Sequence, residues 1–373
     1  MPFSTNFKTI TRHIQEKSLN NPKSNDLNQL LTAIITAIKQ ISVAVSRAGI
    51  EKFNELAEIN NASGDNVKKL DVISNDIMIN FLKASFQCCA LISEENENAI
   101  IVENDLSDPK NPVKSGKYVV CFDPLDGSGN IDCLVAIGTI FSIFECPLGT
   151  SDEKIQEFVA QLKSCTDGNN NKNELLLLPG NKMVAAGYSI YGSGTSLVLS
   201  TGDAPDIYTL DPACGDFILT NEAVKIRPRG KYYSLNEGYT QFWDGPITDY
   251  IAQCKQPPAN PKKPMVCRYI GSMVADIHRT LLYGGIFMNP GHLNAENKLR
   301  LKLRYLYEVA PMAFLMEKAG GLATTGMERI LDVKPDDIHF KISILMGSSE
   351  NVQDLLDIIK KYGKDHLQGT RFH

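Results

Sequence analysis

The chain lacks the features that would mark a membrane, nucleic-acid or zinc protein. No run of about 18 apolar residues occurs, the length a membrane-crossing helix needs. Its start, Met1-Pro2-Phe3-Ser4, has no basic segment leading into an apolar core, so neither a secretion leader nor an Arg-rich transit peptide is expected. A net charge of −5 leaves no basic excess to draw the chain to nucleic acid or an anionic membrane. The six histidines show no paired spacing, which leaves zinc chemistry unsupported. There is no internal repeat, and only two stretches read as surface loops: Asp167 to Asn173, rich in asparagine, and Gln256 to Pro264, rich in proline. Cytoplasm is the expected address.

What is present suits a globular chain. With 373 residues, 43% apolar and 22% charged, two fused domains are expected. Residues 26 to 47 predict an amphipathic helix, with Leu27, Leu30, Leu31, Ile34, Ile35, Ile38, Ile41 and Val45 on one face. Ile155, Phe158, Val159 and Leu162 repeat the helical pattern. Strands are predicted at 119 to 122, 134 to 144, 183 to 190, 195 to 200 and 206 to 210, and helices at 271 to 284, 307 to 319 and 350 to 361. Mixed elements in this order point to a layered α/β architecture.

The chemistry concentrates where Val119-Val120-Cys121-Phe122, an apolar run suited to a buried strand, leads into Asp123-Pro124-Leu125-Asp126-Gly127-Ser128. Proline cannot donate to a sheet ladder, so the strand is expected to stop at Pro124, leaving Asp123 and Asp126 in a turn with the Leu125 carbonyl between them. Carboxylates held this close repel unless a cation or proton sits between them, and hard oxygen donors suit Mg²⁺ or Mn²⁺. The same residues also describe an ordinary Asp-rich turn. Upstream, Ala90-Leu91-Ile92-Ser93 delivers Glu94 and Glu95, which could serve one site only just past a strand end; alone they also read as a solvated pair. Asp71 is equally a surface helix residue, and Asp76 a cap for a helix begun at Ile77.

Taken together, these segments closely resemble fructose-1,6-bisphosphatases of the eukaryotic type, within the Mg²⁺-dependent, lithium-sensitive sugar and inositol phosphatases. The similarity runs through Gly64-Asp65-Asn66-Val67-Lys68-Lys69-Leu70-Asp71, Glu94-Glu95, Cys121 to Ser128, Asn236-Glu237-Gly238-Tyr239, Arg268 to Asp276, Leu306-Tyr307-Glu308 and Met316 to Ala323. It implies an αβαβα sandwich, the sugar phosphatase fold, with an N-terminal domain over residues 1–214 and a substrate-binding domain over 215–373. It also implies that Glu94, Asp123, Asp126, Glu308 and the Leu125 carbonyl ligate metal, with a further ion at Asp65, two to three Mg²⁺ or Mn²⁺ in all. Asp71 and Glu95 would position and deprotonate the attacking water. No Cys-x5-Arg signature occurs among the nine cysteines, in keeping with hydrolysis that forms no phosphoenzyme.

By the same resemblance, Gly127, Ser128 and Arg304 lie near the 1-phosphate. Asn236, Tyr239, Tyr269 and Lys302 bind the sugar and its second phosphate, with Met273 beside the sugar and Arg268 reaching in from a neighbouring subunit of a homotetramer. Read alone, Lys298, Arg300, Lys302 and Arg304 form a solvated basic helix flank. The implied reaction is hydrolysis of fructose 1,6-bisphosphate at C1, in gluconeogenesis. Sedoheptulose 1,7-bisphosphate hydrolysis and a non-catalytic sugar-phosphate sensor are the alternatives.

The chain also departs from the family pattern. Gly129 replaces a serine after Ser128, and Asn289 stands where a tyrosine usually meets the 6-phosphate. In animal members AMP binds near the first helix pair and touches a Lys-Tyr pair matching Lys117 and Tyr118. Here Glu145 replaces an expected arginine, and Asn25-Asp26-Leu27-Asn28 replaces a Gly-Glu-x-Thr turn, so AMP inhibition is expected to be weak or absent. Plastid members carry a redox loop at a similar place, which makes Cys146 and Cys165 a candidate pair; reducing cytosol argues against it.

Overall fold

Leu30, Leu31, Ile34, Ile35, Ile38 and Ile41 recur at helical spacing in the helix Asn25–Arg47, and all are buried. A computed structural model of the chain describes residues 6–19, 25–48, 50, 56–60, 66–103, 115–166, 174–256, 263–293, 296 and 298–363. Asn25–Arg47 has the length and composition to cross a bilayer, but its apolar stripe packs with helices Ile10–Ser18 and Lys69–Ala84 onto one face of a sheet.

That sheet has eight strands. Asp216–Asn221, Asp206–Asp211, Thr195–Ser200, Met183–Tyr191, Ile137–Glu145 and Tyr118–Asp126 pair antiparallel in that order; Cys88–Ser93 joins Tyr118–Asp126 in parallel, and Ile100–Ile101 closes the edge. The opposite face is covered by helices Asp152–Thr166, Met273–Tyr283 and Ala310–Lys318. Beyond them lies a five-stranded sheet in the order Val266–Cys267, Tyr232–Ser234, Ile286–Asn289, Ile344–Gly347 and Leu322–Thr324. Helices Gly245–Lys255 and Ser349–Tyr362 cover its outer face. Each apolar face is thus buried against a neighbouring layer, which gives the expected αβαβα stack.

Several local expectations need correction. Pro124 does not end its strand. Asp123 pairs with Ile140 and Asp126 with Gly138, so three steps on one strand oppose two on the other, a β-bulge that absorbs the proline. The Pro124 carbonyl instead accepts from the Thr139 hydroxyl at 2.8 Å, and the Leu125 N–H donates to Asp123 Oδ1 at 2.9 Å. Asp76 caps nothing: the helix begins at Lys69, directly after the strand Asn66–Lys68, with Asp71 in its first turn. The strand expected from 134 begins at Ile137, because Leu134 is left-handed (φ 59°) and 92% exposed. Residues 307 to 319 are two elements, a π-helical turn Tyr305–Val309 and the α-helix Ala310–Lys318. Lys302 and Arg304 are not a helix flank; they follow the short strand Leu299–Arg300 in extended chain. Cys146 is a buried free thiol whose thiol neighbour is Cys89. The side chain of Cys165 lies outside the described residues.

Candidate active site

The bulge at Pro124 lets one strand present Asp123 and Asp126 toward Glu308. Carboxylate oxygens of these three residues lie within 4.8 Å of one another, and all three are buried. Glu308 arrives from the π-helical turn, a distortion that recurs at functional sites. Its Oε2 accepts from the Arg304 N–H at 2.6 Å, and Ser142 Oγ donates to the Leu306 carbonyl at 2.8 Å, tying the turn to the sheet. Asp126 Oδ2 accepts from the Val274 N–H at 2.9 Å in the first turn of Met273–Tyr283, where the helix dipole favours negative charge. Gly127 must be glycine: its φ is 79°, and a Cβ there would sit 2.7 Å from Ser272 Oγ.

Glu94 and Glu95 lie just past the end of Cys88–Ser93, as expected. Glu94 is 6% exposed and pairs with Arg304 at 2.8 Å; Glu95 is half-buried, so the pair is not a solvated surface feature. Asp71 is 2% exposed on its helix. These acids line a cavity of about 340 Å³ together with Leu125, Gly127, Ser128, Tyr269, Met273, Lys302 and Arg304. Asn236 and Tyr239 line an adjoining chamber of about 110 Å³, which shares Tyr269, Asn289 and Lys302 with the main cavity. Arg268 stands outside both walls, exposed, its guanidinium donating to the Cys267 carbonyl. Asp65 lies outside the described residues.

Burial and mutual repulsion make Glu95, Asp123, Asp126 and Glu308 hard to ionise. Burial, then Asp126, Glu94 and Glu308, hold the Asp123 carboxyl well above the usual range. Burial pushes Asp126 up to about 6, against the Val274 N–H and Lys302. It pushes Glu308 up to about 8, against the Arg304 charge. Glu95 rises to about 9, through burial and then the Glu94 and Asp71 charges. A cluster of mutually repelling buried carboxylates has the electrostatics of a divalent-ion site, and its all-oxygen donor set fits Mg²⁺ or Mn²⁺.

One structural residue carried no role in the sequence reading. Asp276, fully buried, accepts from the Ile270 and Gly271 N–H groups at 3.1 Å and from Ser234 Oγ at 2.8 Å, and pairs with Arg279 at 2.9 Å. It thereby fixes the Tyr269-Ile270-Gly271 loop over the cavity. The available signal was an acid at the centre of the apolar stripe Met273, Val274, Ile277 and Leu281.

A layered α/β protein with buried carboxylates meeting where sheet strands end, and a smaller chamber adjoining them, belongs to the metal-dependent sugar phosphatases. The comparisons narrow this. Family models for the N-terminal and C-terminal domains of fructose-1,6-bisphosphatase match residues 8–222 and 226–360. The chain is 49% identical over 360 residues to fructose-1,6-bisphosphatase 1 of Bos taurus, covering 96% of this chain and 97% of that one. It is 45% identical over 354 residues to a cytosolic fructose-1,6-bisphosphatase of Oryza coarctata, covering 95% and 94%. The crystal structure of a Leishmania major fructose-1,6-bisphosphatase in holo form superposes with a TM-score of 0.80 at 37% identity, covering 95% of this chain and 99% of that one. The chain belongs to the fructose-1,6-bisphosphatase family, whose members depend on metal and bind a sugar bisphosphate.

Proposed function

We propose that this chain is a phosphatase that hydrolyses fructose 1,6-bisphosphate at C1, giving fructose 6-phosphate and inorganic phosphate in gluconeogenesis. The convergence of Asp123, Asp126 and Glu308 within 4.8 Å carries the reading, because like charges this close and this buried are tolerable only with a counter-charge.

Glu94, Asp123, Asp126, Glu308 and the Leu125 carbonyl hold the divalent ions, Mg²⁺ foremost or Mn²⁺, two to three with Asp65 included. Bound there, such ions offset the phosphate's charge and acidify a nearby water. Asp71 and Glu95 orient that water and take its proton; an acid as weak as Glu95 is a competent base near neutral pH once neighbouring negative charge is offset. The water oxygen attacks phosphorus in line, the bond to the C1 oxygen breaks, and that oxygen leaves with the electron pair and gains a proton. Gly127, Ser128 and Arg304 hold the transferring phosphate, and Asn236, Tyr239, Tyr269, Met273 and Lys302 hold the sugar and its second phosphate.

Arg268, exposed and outside the walls of its own cavity, serves the site of a neighbouring subunit in a homotetramer. The chain divides into two domains, residues 1–214 and 215–373, with the last strand of the larger sheet, Asp216–Asn221, at that boundary. Cytoplasm is the proposed compartment. Phosphate release from fructose 1,6-bisphosphate and sedoheptulose 1,7-bisphosphate, with and without Mg²⁺, tests the proposal: release should require the metal and favour the fructose compound. No release with metal present would leave a sugar-phosphate sensor.

A further inference from the structure

Tyr307 precedes Glu308 in the π-helical turn, and its side chain is fully buried, so its hydroxyl needs a partner inside the protein. That partner is His339, which the proposed reaction does not use. Nδ1 lies 2.7 Å from the Tyr307 hydroxyl, and the two rings meet edge to face with centroids 5.9 Å apart. On its far side the imidazole reaches the Glu97 carbonyl, 3.1 Å from Nε2. A carbonyl only accepts, so Nε2 carries the proton, and in the neutral ring Nδ1 then accepts from the Tyr307 O–H. One side chain thus joins the turn that carries Glu308 to the turn that carries Glu94 and Glu95.

Both ends of this link are anchored. His339 sits in a loop bonded to the segment that leads into the π-helical turn: the Tyr305 N–H donates to the Phe340 carbonyl at 2.8 Å, and the Ile342 N–H donates to the Leu303 carbonyl at 2.9 Å. Glu97 follows a turn that is fixed on its other side by Asn75, one helical turn beyond Asp71. Asn75 Oδ1 accepts from Ser93 Oγ at 2.7 Å, its Nδ2 donates to Asn96 Oδ1 at 2.9 Å, and Ser93 Oγ accepts from the Glu95 N–H at 3.3 Å. Acids from three segments, Asp71, Glu94 with Glu95, and Glu308, are therefore held in one hydrogen-bonded frame. Arg304 and Glu94 also connect the two turns, at 2.8 Å, but in the reading above each has another role, on phosphate and on metal. His339 has neither role, so its link is not contested when the cavity fills.

We infer that His339 is a positioning residue for the metal site, holding the Glu94–Glu95 turn in register with Glu308 through the Glu97 carbonyl and the Tyr307 hydroxyl. The inference rests on the bisphosphatase reading and adds to it a support for the ligands. Carboxylates on separate turns share an ion only while the turns keep their spacing, and hydrogen bonds behind metal ligands set affinity for that reason.

The test is calorimetric binding of Mn²⁺ to the substrate-free chain in wild type, His339→Phe and His339→Gln, alongside steady-state kinetics with fructose 1,6-bisphosphate. Phenylalanine keeps a ring beside Tyr307 and loses both hydrogen bonds, whereas glutamine again offers the Glu97 carbonyl a donor. His339→Phe should weaken Mn²⁺ binding about tenfold and lower kcat, with KM for the sugar nearly unchanged, and His339→Gln should recover most of the loss. Tyr307→Phe, which removes the hydroxyl and leaves its ring, carries the same expectation should His339→Phe fold poorly. Wild-type Mn²⁺ affinity in His339→Phe, whatever its melting temperature, or a loss that glutamine does not recover, would overturn the inference. Failure of the wild-type chain to release phosphate with metal present would defeat the bisphosphatase reading, while Mn²⁺ affinity that depends on His339 would leave this one standing.

Discussion

Asp123, Asp126 and Glu308 are 4–8% exposed, while Tyr239 and Tyr269 across the cavity are 43% and 37% exposed. On the first side charge has been taken out of water, and the folded chain bears the cost as raised carboxyl pKa values. On the second side the groups are mostly neutral, half-solvated and set on turns, so holding them costs the fold little. The contrast separates two contributions to a site. In the reading proposed above, the acids trade stability for chemistry, whereas the tyrosines would supply affinity with hardly any effect on the fold.

The sharpest way to break this contrast is Asp123→Asn. We expect kcat to fall by about 10³-fold or more, as when a transition-state charge stabiliser is lost, while the melting temperature in chelator rises above wild type. The second expectation follows from proton linkage. Glu308 titrates at about 8 when folded and near its ordinary value of about 4 when unfolded. Between those values the folded chain holds more protons, so metal-free stability falls as pH rises through that window, and Asp123 adds to the effect in the same sense. Tyr269→Phe should leave both the melting temperature and its pH dependence unchanged. A metal-free Asp123→Asn protein that melts lower than wild type would remove the claim that the corner is a charge-strained site.

Next in size is Asp276→Ala. It leaves the Arg279 guanidinium buried beside a vacated partner position and releases the Ile270 and Gly271 N–H groups. Breaking such a pair costs about 3 kcal/mol, and loosening the loop under Tyr269 should raise KM by about 10-fold or more. Urea denaturation and steady-state kinetics read the two effects separately. A smaller effect is expected in calorimetry: at pH 7 the metal-free Glu308 and Glu95 carboxyls hold protons, so Mg²⁺ binding should release them. Titration in buffers of different ionisation enthalpy should show release that shrinks above about pH 9.

How much of this was legible in the sequence follows the same division. The helix Asn25–Arg47 announced itself by periodicity and the strand at Val119 by its apolar run, which made Asp123 and Asp126 conspicuous, whereas Asp71, Glu94, Glu95 and Glu308 were singled out by the family resemblance. The bulge was not, since proline in a strand ordinarily signals an end, and only the pairing of Asp126 with Gly138 shows that the ladder resumes. The π-helical turn was hidden for a similar reason: Tyr305 to Lys318 keeps an apolar pattern throughout, and the widening shows only in the backbone bonds from the Val309 N–H to the Arg304 carbonyl and from the Ala310 N–H to the Tyr305 carbonyl. Lys302 and Arg304 alternate with leucine at a spacing that fits a charged flank, and only tertiary packing aims them into a cavity. Asp276 showed only as an acid in an apolar stripe, and its hold on the Ile270 and Gly271 N–H groups and on Ser234 is visible only in the fold.

The smallest expected response concerns AMP. Lys117, one of the pair that contacts the nucleotide in animal relatives, is bound to Asp26 Oδ2 at 2.8 Å. Asp26 sits in the first turn of Asn25–Arg47, where a helix N-terminus stabilises a carboxylate, so the pair is not easily separated. Glu145 lies opposite Tyr118 in the ladder and adds a second negative charge where an arginine is expected. A phosphate approaching this corner meets a lysine already neutralised by Asp26 and one further anion, Glu145, in contrast to the chamber beside the acidic site, whose described lining residues include Lys302 and no acid. Inhibition by AMP should therefore be weak or absent, and Glu145→Arg combined with Asp26→Asn should strengthen it without changing uninhibited kcat. Full inhibition of the wild-type chain at micromolar AMP would show that a charge count at this corner does not govern nucleotide binding.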